Sequence, residues 1–418
     1  MDVDNQSEVS VDLRQMVLAI ENTVSLVGMN DTAHGKRVGY IAMQIANRLG
    51  FSDKEKQYVF DLGLLHDCGV SSDTVHGYLA NQFDWENSGE HCVIGHRLLK
   101  GFKPLSKMAT HILCHHTPWP ELRDIDIPEN DKLLANLIFL ADRVDVTAAS
   151  SYGPNILFHT DNIVSSIVSK QDTYFDPRLV EAFIHISKPE AFWLSLENRH
   201  IDRFAWDMGT HGEYERLCIS DLKKLAQIFS YIVDQKSPFT VQHSDGVAAL
   251  ARHIAQLLHL PDDVVDKIEV AAYLHDIGKL HIPDHILEKP GPLSAKERSI
   301  INQHSYETYE ILRAIDGLGD IAKWAAYHHE NCEGTGYPFH PSEEDLSVPA
   351  RIIAVSDVFQ ALVQDRPYRK GMTLENVARI LSEMRDSGKL DKEIVAVALA
   401  DAERCFDVAR MPRSALPN

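Results

Sequence analysis

Histidine and aspartate recur along this 418-residue chain in an order that metal chemistry would use. In the C-terminal half they are His243, the adjacent pair His275-Asp276, His304, the adjacent pair His328-His329, and Asp357. His275 and Asp276 sit in the apolar stretch VAAYLHDIGKL. Ionisable groups are costly there unless they are paired or bound to a metal. Neighbouring residues on a helix point about 100° apart, so the pair could face two ions, or its carboxylate could bridge them. Imidazole and carboxylate donors together suit iron, manganese or zinc rather than calcium. A lone helical histidine is more often a core or surface residue than a ligand. Seven donors in this order reverse that reading.

The same order occurs twice. DLRQMVLAIENTVSLVGMNDTAHGKRVGYIA, from Asp12, aligns with DLKKLAQIFSYIVDQKSPFTVQHSDGVAALA, from Asp221. His34 and His243 stand 209 residues apart, as do His66-Asp67 and His275-Asp276. His91 and His304 are 213 apart, as are His115-His116 and His328-His329. Asp142 and Asp357 are 215 apart, and so are FDPRLV and LDKEIV. A drift this small is what loop insertions produce. A period of this length marks a duplicated domain, not a solenoid unit. His34, His66, Asp67, His91, His115, His116 and Asp142 are therefore a second candidate metal site.

The elements that must position these groups read as helices. VLAIENTVSLVG, VGYIAMQIANRLG, LKKLAQIFSYIV and VAALARHIAQLL place apolar residues at i, i+3, i+4 and i+7. ARIIAVSDVFQAL reads as a buried helix, and Gly50 and Gly69 as helix stops. The expected fold class is all-α, two helical bundles in tandem. The first domain is placed at 1–200, a linker, or a helix end followed by a linker, at 201–215 within ENRHIDRFAWDMGTHGEYE, and the second domain at 216–418. Two homologous bundles in one chain are expected to pack on each other as the halves of a twofold dimer do.

Composition bounds the partners. With 41 basic against 61 acidic residues, a net charge of −20, the chain lacks the basic face that duplex nucleic acid or an anionic membrane requires. A small phosphate ligand held by metal and a few local cations stays open. The six cysteines include no C-x-x-C pair and read as reduced thiols. Cys68, Cys92 and Cys114 each adjoin a candidate ligand and read as buried filler. No apolar run approaches the ~20 residues of a membrane span, and MDVDNQSEVS is unlike a signal peptide. A cytoplasmic protein is expected; oligomeric state is left open.

The series H…HDIGK…H…HHE…GxGYP…D, from about Thr240 to Val395, resembles the HD-GYP branch of the HD phosphohydrolase superfamily, whose members cleave cyclic dinucleotides. HDIGKLHIPDHILEKPGPLS, HHENCEGTGYP, ARIIAVSD and DRPYRKGMT carry the resemblance. It implies that His243, His275, Asp276, His304, His328, His329 and Asp357 ligate metals with Lys279 working beside them. It also implies that Arg366 and Arg369 hold substrate phosphates, and that Gly336, Tyr337 and Pro338 shape the base pocket. The chain departs from the family pattern at three positions. Phe239 stands where some members carry a Glu for a third metal, which implies two metals here. Glu333 replaces a usual Asp, and Thr308 a common Gly. A ligand-bearing HD half ahead of an HD-GYP half resembles the group acting on 3′,3′-cGAMP, with c-di-GMP the next substrate.

The residue types suit that chemistry. Two metals about 3.5–4 Å apart lower the pKa of a bridging water to about 7 and clamp the phosphate, so a bridging hydroxide attacks and yields a linear dinucleotide. Iron is the favoured ion and manganese the next. Lys279, three residues past Asp276, is placed to reach the phosphate or the leaving oxygen. Guanidinium forks at Arg366 and Arg369 match phosphate oxygens. The N-terminal half has Val70 in place of that lysine, CHHTPWPELRD in place of the GYP loop, and nothing like RPYR. It is expected to sense or support rather than to catalyse. The rival readings are an HD nucleotidase or ribonuclease, and a non-catalytic nucleotide receptor. The GYP loop and RPYR argue against the first; the intact lysine and ligand set argue against the second.

Overall fold

The computed structural model describes residues 8–24, 33–70, 89–153, 155–210, 216–236, 243–365 and 370–410. Helices account for nearly all of its regular structure, as expected. The exception among the described residues is a two-stranded antiparallel ribbon, Glu8–Ser10 with Arg216–Cys218, in which Val9 faces Leu217. Strands of three residues are too short to show an alternation in sequence. The ribbon also moves residues 8–12 out of the domain expected over 1–200 and groups them with the C-terminal unit. Of the two readings of 201–215, the helix end followed by a linker agrees with helix Asn198–Thr210, which runs through the first ten of these residues; 211–215 lie outside the described residues.

The N-terminal unit, described over 13–210, is organised by helices His34–Arg48, Asp53–Leu65 and Glu129–Ala148. Ser52 starts the second with a capping box, its hydroxyl on the Glu55 amide and the Glu55 carboxylate on the Ser52 amide. The first two helices touch backbone to backbone, since a Cβ at Gly63 would lie 2.4 Å from the Gly39 Cα. The turn between them uses Gly50 at φ +83°, the stop read from sequence. Glu129–Ala148 is buried along most of its length, which carries Asp142 and Asp145 into the interior.

The C-terminal unit repeats this plan with His243–Leu257, Asp262–Leu274, Gln303–Arg313, Gly319–Ala326 and Val348–Val363. The last is the buried helix expected from ARIIAVSDVFQAL, with Ile352, Ile353 and Phe359 fully buried. None of the six cysteines, all of them described, is in a disulfide. No described helix is long and apolar enough to cross a membrane.

Candidate metal centre

His275 caps the C-terminal end of helix Asp262–Leu274, and Asp276 opens a single 3-10 turn, Ile277–His281. The pair therefore stands at a helix end, not inside a helix. The apolar pattern hides the break because Ile277 and Leu280 of the turn are buried too. Two features press this turn onto helix Gln303–Arg313. Gly278 has no room for a side chain: a Cβ there would lie 2.1 Å from the His304 carbonyl oxygen. The Thr308 hydroxyl donates to the His275 carbonyl at 3.0 Å and accepts from the Gly278 amide at 3.1 Å. Thr308, a departure from the family pattern, thus fastens the HD turn. His328-His329 likewise follows a helix end, that of Gly319–Ala326, while His243 opens its helix and Asp357 lies within Val348–Val363.

Asp276 is the centre of the arrangement. Its Oδ2 lies 3.2 Å from His275 Nε2 and 3.6 Å from His243 Nε2. Its Oδ1 faces the other way, 3.5 Å from His304 Nε2 and 3.7 Å from His328 Nε2. Asp357 Oδ1 lies 3.2 Å from His243 Nε2. Donor atoms of His243, His275 and Asp276 fall within 4.8 Å of one another, as do those of His304, His328 and His329. Two donor clusters thus share one carboxylate, the geometry that two neighbouring ions require. His275 Nε2 and Asp276 Oδ1 are buried without a hydrogen-bond partner. Such atoms are rare in native interiors and fit a place for cations.

The remaining ring nitrogens fix the tautomers. His275, His304 and His328 donate from Nδ1 to the carbonyls of Ala272, Ile301 and Ala325, at 2.7, 2.6 and 2.7 Å. His243 Nδ1 donates to Gln360 Oε1 at 2.5 Å. Each Nε2 is left to a metal. Burial, aided by the His329 imidazole and Lys279, pushes His304 down to about 3; burial likewise pushes His329 down to about 4. Both rings are neutral at neutral pH. Burial alone would raise the Asp276 carboxyl, but His275 and Lys279 outweigh it and hold Asp276 well below the carboxylate range. The Lys279 ammonium pairs with Asp276 Oδ2.

The loop at Gly336, Tyr337 and Pro338 closes over one cluster. The Tyr337 ring lies 4.8 Å from that of His329, centroid to centroid. A Cβ at Gly336 would be 2.5 Å from the His329 carbonyl oxygen, so the loop backbone rests directly on His329. Glu330 grips the loop from below: it is buried, and its Oε1 accepts from the amides of Phe339 at 2.6 Å and His340 at 3.2 Å. Sequence reasoning missed both Glu330 and Gln360. Their signals were position alone, Glu330 next to the histidine pair and Gln360 three residues past Asp357. Glu333 is exposed. Arg366, Arg369 and Phe239 lie outside the described residues.

The N-terminal donors converge in the same way. Asp67 Oδ2 lies 3.3 Å from His66 Nε2 and 3.8 Å from His34 Nε2, while its Oδ1 lies 3.2 Å from His91 Nε2 and 3.9 Å from His115 Nε2. Asp142 Oδ1 lies 3.5 Å from His34 Nε2. The His116 ring lies 4.2 Å from that of His115, centroid to centroid, tilted by 42°. The surroundings differ, however. Val70 is a buried apolar side chain where the other half has Lys279. Asp142 Oδ2 accepts from the Arg143 guanidinium at 2.7 Å. Asp145 takes the place of Gln360, accepting from His34 Nδ1 at 2.7 Å while Arg37 Nε, at 2.6 Å, and the Tyr152 hydroxyl hold it. Burial disfavours the His66 cation, yet Asp67 and Asp142 push it up to about 9.

Known proteins share this organisation. HD domain family models match residues 32–147 and residues 227–394. Over 408 residues the chain is 37% identical to the 3′3′-cGAMP-specific phosphodiesterase 1 of Vibrio cholerae, covering 96% of this chain and 94% of that one. Over 159 residues it is 38% identical to a cyclic di-GMP phosphodiesterase of Pseudomonas aeruginosa, 37% of each chain. A solved structure of a cyclic GMP-AMP specific phosphodiesterase of Vibrio cholerae matches with a TM-score of 0.63 at 24% identity, over 94% of this chain and 98% of that one. At that identity the match speaks for the fold. The chain belongs to the HD-GYP phosphodiesterases of the HD superfamily, with two HD domains in tandem.

Proposed function

We propose that the C-terminal site hydrolyses a cyclic dinucleotide to the linear dinucleotide, with 3′,3′-cGAMP preferred and c-di-GMP the next substrate. The observation that carries the reading is the Asp276 carboxylate, shared between two histidine clusters with the Lys279 ammonium on one of its oxygens. The preference follows the relative matched over nearly the whole chain, which is named for 3′3′-cGAMP. His243, His275, Asp276, His304, His328, His329 and Asp357 would hold two divalent ions, with iron favoured and manganese next for this N/O donor set. Such ions supply Lewis acidity at the phosphate and a nucleophile at neutral pH.

The chain's own groups do the rest. Lys279 is poised to neutralise a phosphate oxygen or to give the leaving alkoxide its proton. Asp276 holds that ammonium in place. Tyr337, anchored through Glu330, offers an apolar wall for a base, and Arg366 and Arg369 are proposed to grip the second phosphate. The N-terminal half has donors but neither a counterpart of Lys279 nor a GYP loop, and it serves as a non-hydrolytic metal centre. To test the reading, the full chain is supplied with manganese or iron and the products from each cyclic dinucleotide are separated by chromatography. Faster conversion of 3′,3′-cGAMP to one linear product is expected. Equal rates would remove the preference, and free phosphate from mononucleotides with intact cyclic dinucleotide would make the enzyme a nucleotidase.

A further inference from the structure

We infer that the N-terminal unit holds a thiolate-ligated metal ion, bound by His91, Cys92, His115 and His116 and fitted to zinc. The inference rests on the reading of the N-terminal donors as a metal centre and adds a sulfur ligand to it. Donor atoms of these four residues all lie within 4.8 Å of one another. Two of the separations match a tetrahedron around one ion, and Cys92 Sγ lies 3.5 Å from the His115 ring at Nδ1. With bonds of about 2.3 Å to sulfur and 2.0–2.1 Å to nitrogen, tetrahedral zinc sets its ligands about 3.3 Å apart for two nitrogens and about 3.6 Å for sulfur and nitrogen. His91 Nε2 and His115 Nε2 are 3.3 Å apart, and Cys92 Sγ lies 3.6 Å from His91 Nε2. His115 Nδ1 donates to the Ile112 carbonyl at 2.7 Å, which leaves its Nε2 for a metal.

A second observation points into the same space. Asp67 Oδ1 is buried without a hydrogen-bond partner and faces His91 Nε2 at 3.2 Å. A cation among these atoms satisfies the carboxylate, the two ring nitrogens and the sulfur together. Binding expels the thiol proton to solvent, and the thiolate takes its place as ligand.

The other half shows what the cysteine changes. Ser305 occupies the place of Cys92, with its hydroxyl 3.3 Å from His304 Nε2, and His304 and His328 are 3.2 Å apart, nearly as in the N-terminal cluster. The two clusters share a geometry and differ in one donor. An alcohol stays protonated at neutral pH, so the C-terminal cluster keeps N/O character. Thiolate is soft and shifts selection toward zinc, which has no redox chemistry. The two halves of one chain are therefore tuned to different metals, and the N-terminal ion is insensitive to oxidation.

Cobalt reports the ligand directly, because a cobalt–thiolate bond has a charge-transfer absorption in the near ultraviolet that N/O ligands lack. The metal-free full chain is titrated with cobalt, alongside Asp276→Ala, which removes the carboxylate shared by the C-terminal clusters, and Cys92→Ser, which copies Ser305. The band is expected in the unsubstituted chain and in Asp276→Ala. Cys92→Ser should lose it, with zinc held at that site at least about 10–100-fold more weakly. Cobalt bound by Asp276→Ala without the band, or a band that survives in Cys92→Ser, overturns the thiolate ligand and returns Cys92 to packing. If Asp276→Ala binds no cobalt at all, the reading of the N-terminal half as a metal centre fails, and the inference falls with it.

Discussion

Replacing Gly278 by alanine should disable the C-terminal site without touching a ligand. The added Cβ would lie 2.1 Å from the His304 carbonyl oxygen and 2.8 Å from the Thr308 amide nitrogen, whereas ordinary contact begins at 3.4 Å. Both obstructions are backbone, so no side chain can swing aside. The turn and helix Gln303–Arg313 must separate by about 1.3 Å, the difference between 3.4 and 2.1 Å. That movement carries Asp276 away from His304, now 3.5 Å from its Oδ1. Metal–ligand distances tolerate only about ±0.2 Å, and a misplacement of about 1 Å costs ~10²-fold in rate. Turnover of the cyclic dinucleotide should fall ~10²-fold or more, with metal content reduced and stability lowered by the ~1–3 kcal/mol of an overpacked site. Gly319→Ala is the control, since nothing lies within 4 Å of its added Cβ. Steady-state rates, metal analysis and thermal melts of the two variants make the comparison. A Gly278→Ala protein with unsubstituted metal content and rate would refute the claim that this contact sets the site geometry.

Lys279→Ala should keep its metal and lose ~10²–10⁴-fold in turnover, checked by metal analysis beside rates; undiminished activity would remove the lysine from the mechanism. Gln360→Ala leaves His243 Nδ1 without its acceptor and should weaken metal affinity ~10–100-fold, read by chelator competition. The pH dependence of the metal-free protein follows from His304 and His329. The unfolded chain protonates them near 6.5, but the folded sites stay neutral to about 3 and about 4. Their contribution is therefore complete above 6.5 and is lost as pH falls toward 4, so thermal melts should drop across that window. A melting temperature flat from pH 7 to 4 would contradict it.

The candidate donors could be picked out because each half repeats them at fixed spacing, and the structure brings them together within each half. The helices were legible from apolar period, down to the buried Val348–Val363. What stayed hidden were matters of position. Burial continues unbroken from the end of helix Asp262–Leu274 to Gly278 in the 3-10 turn, so no exposed residue marks the helix end at His275. Gln360 and Glu330 are ordinary residue types whose roles depend on facing His243 Nδ1 and the amides of Phe339 and His340. Cys92 read as filler because an apolar environment suits a thiol as well as it suits a ligand. Only its distance to His91 Nε2 separates the two readings. The ribbon between Glu8–Ser10 and Arg216–Cys218 joins segments some two hundred residues apart, beyond the reach of a local pattern.

The central claim is that Asp276 organises a hydrolytic site for cyclic dinucleotides. The most direct measurement is the rate at which the full chain, loaded with manganese, converts 3′,3′-cGAMP to linear dinucleotide, beside the same protein carrying Asp276→Ala. A single linear product is expected from the unsubstituted chain, stopped by a chelator, with Asp276→Ala losing metal and activity together. No linear product from the metal-loaded chain, or an Asp276→Ala protein that still forms it at the unsubstituted rate, would contradict the account.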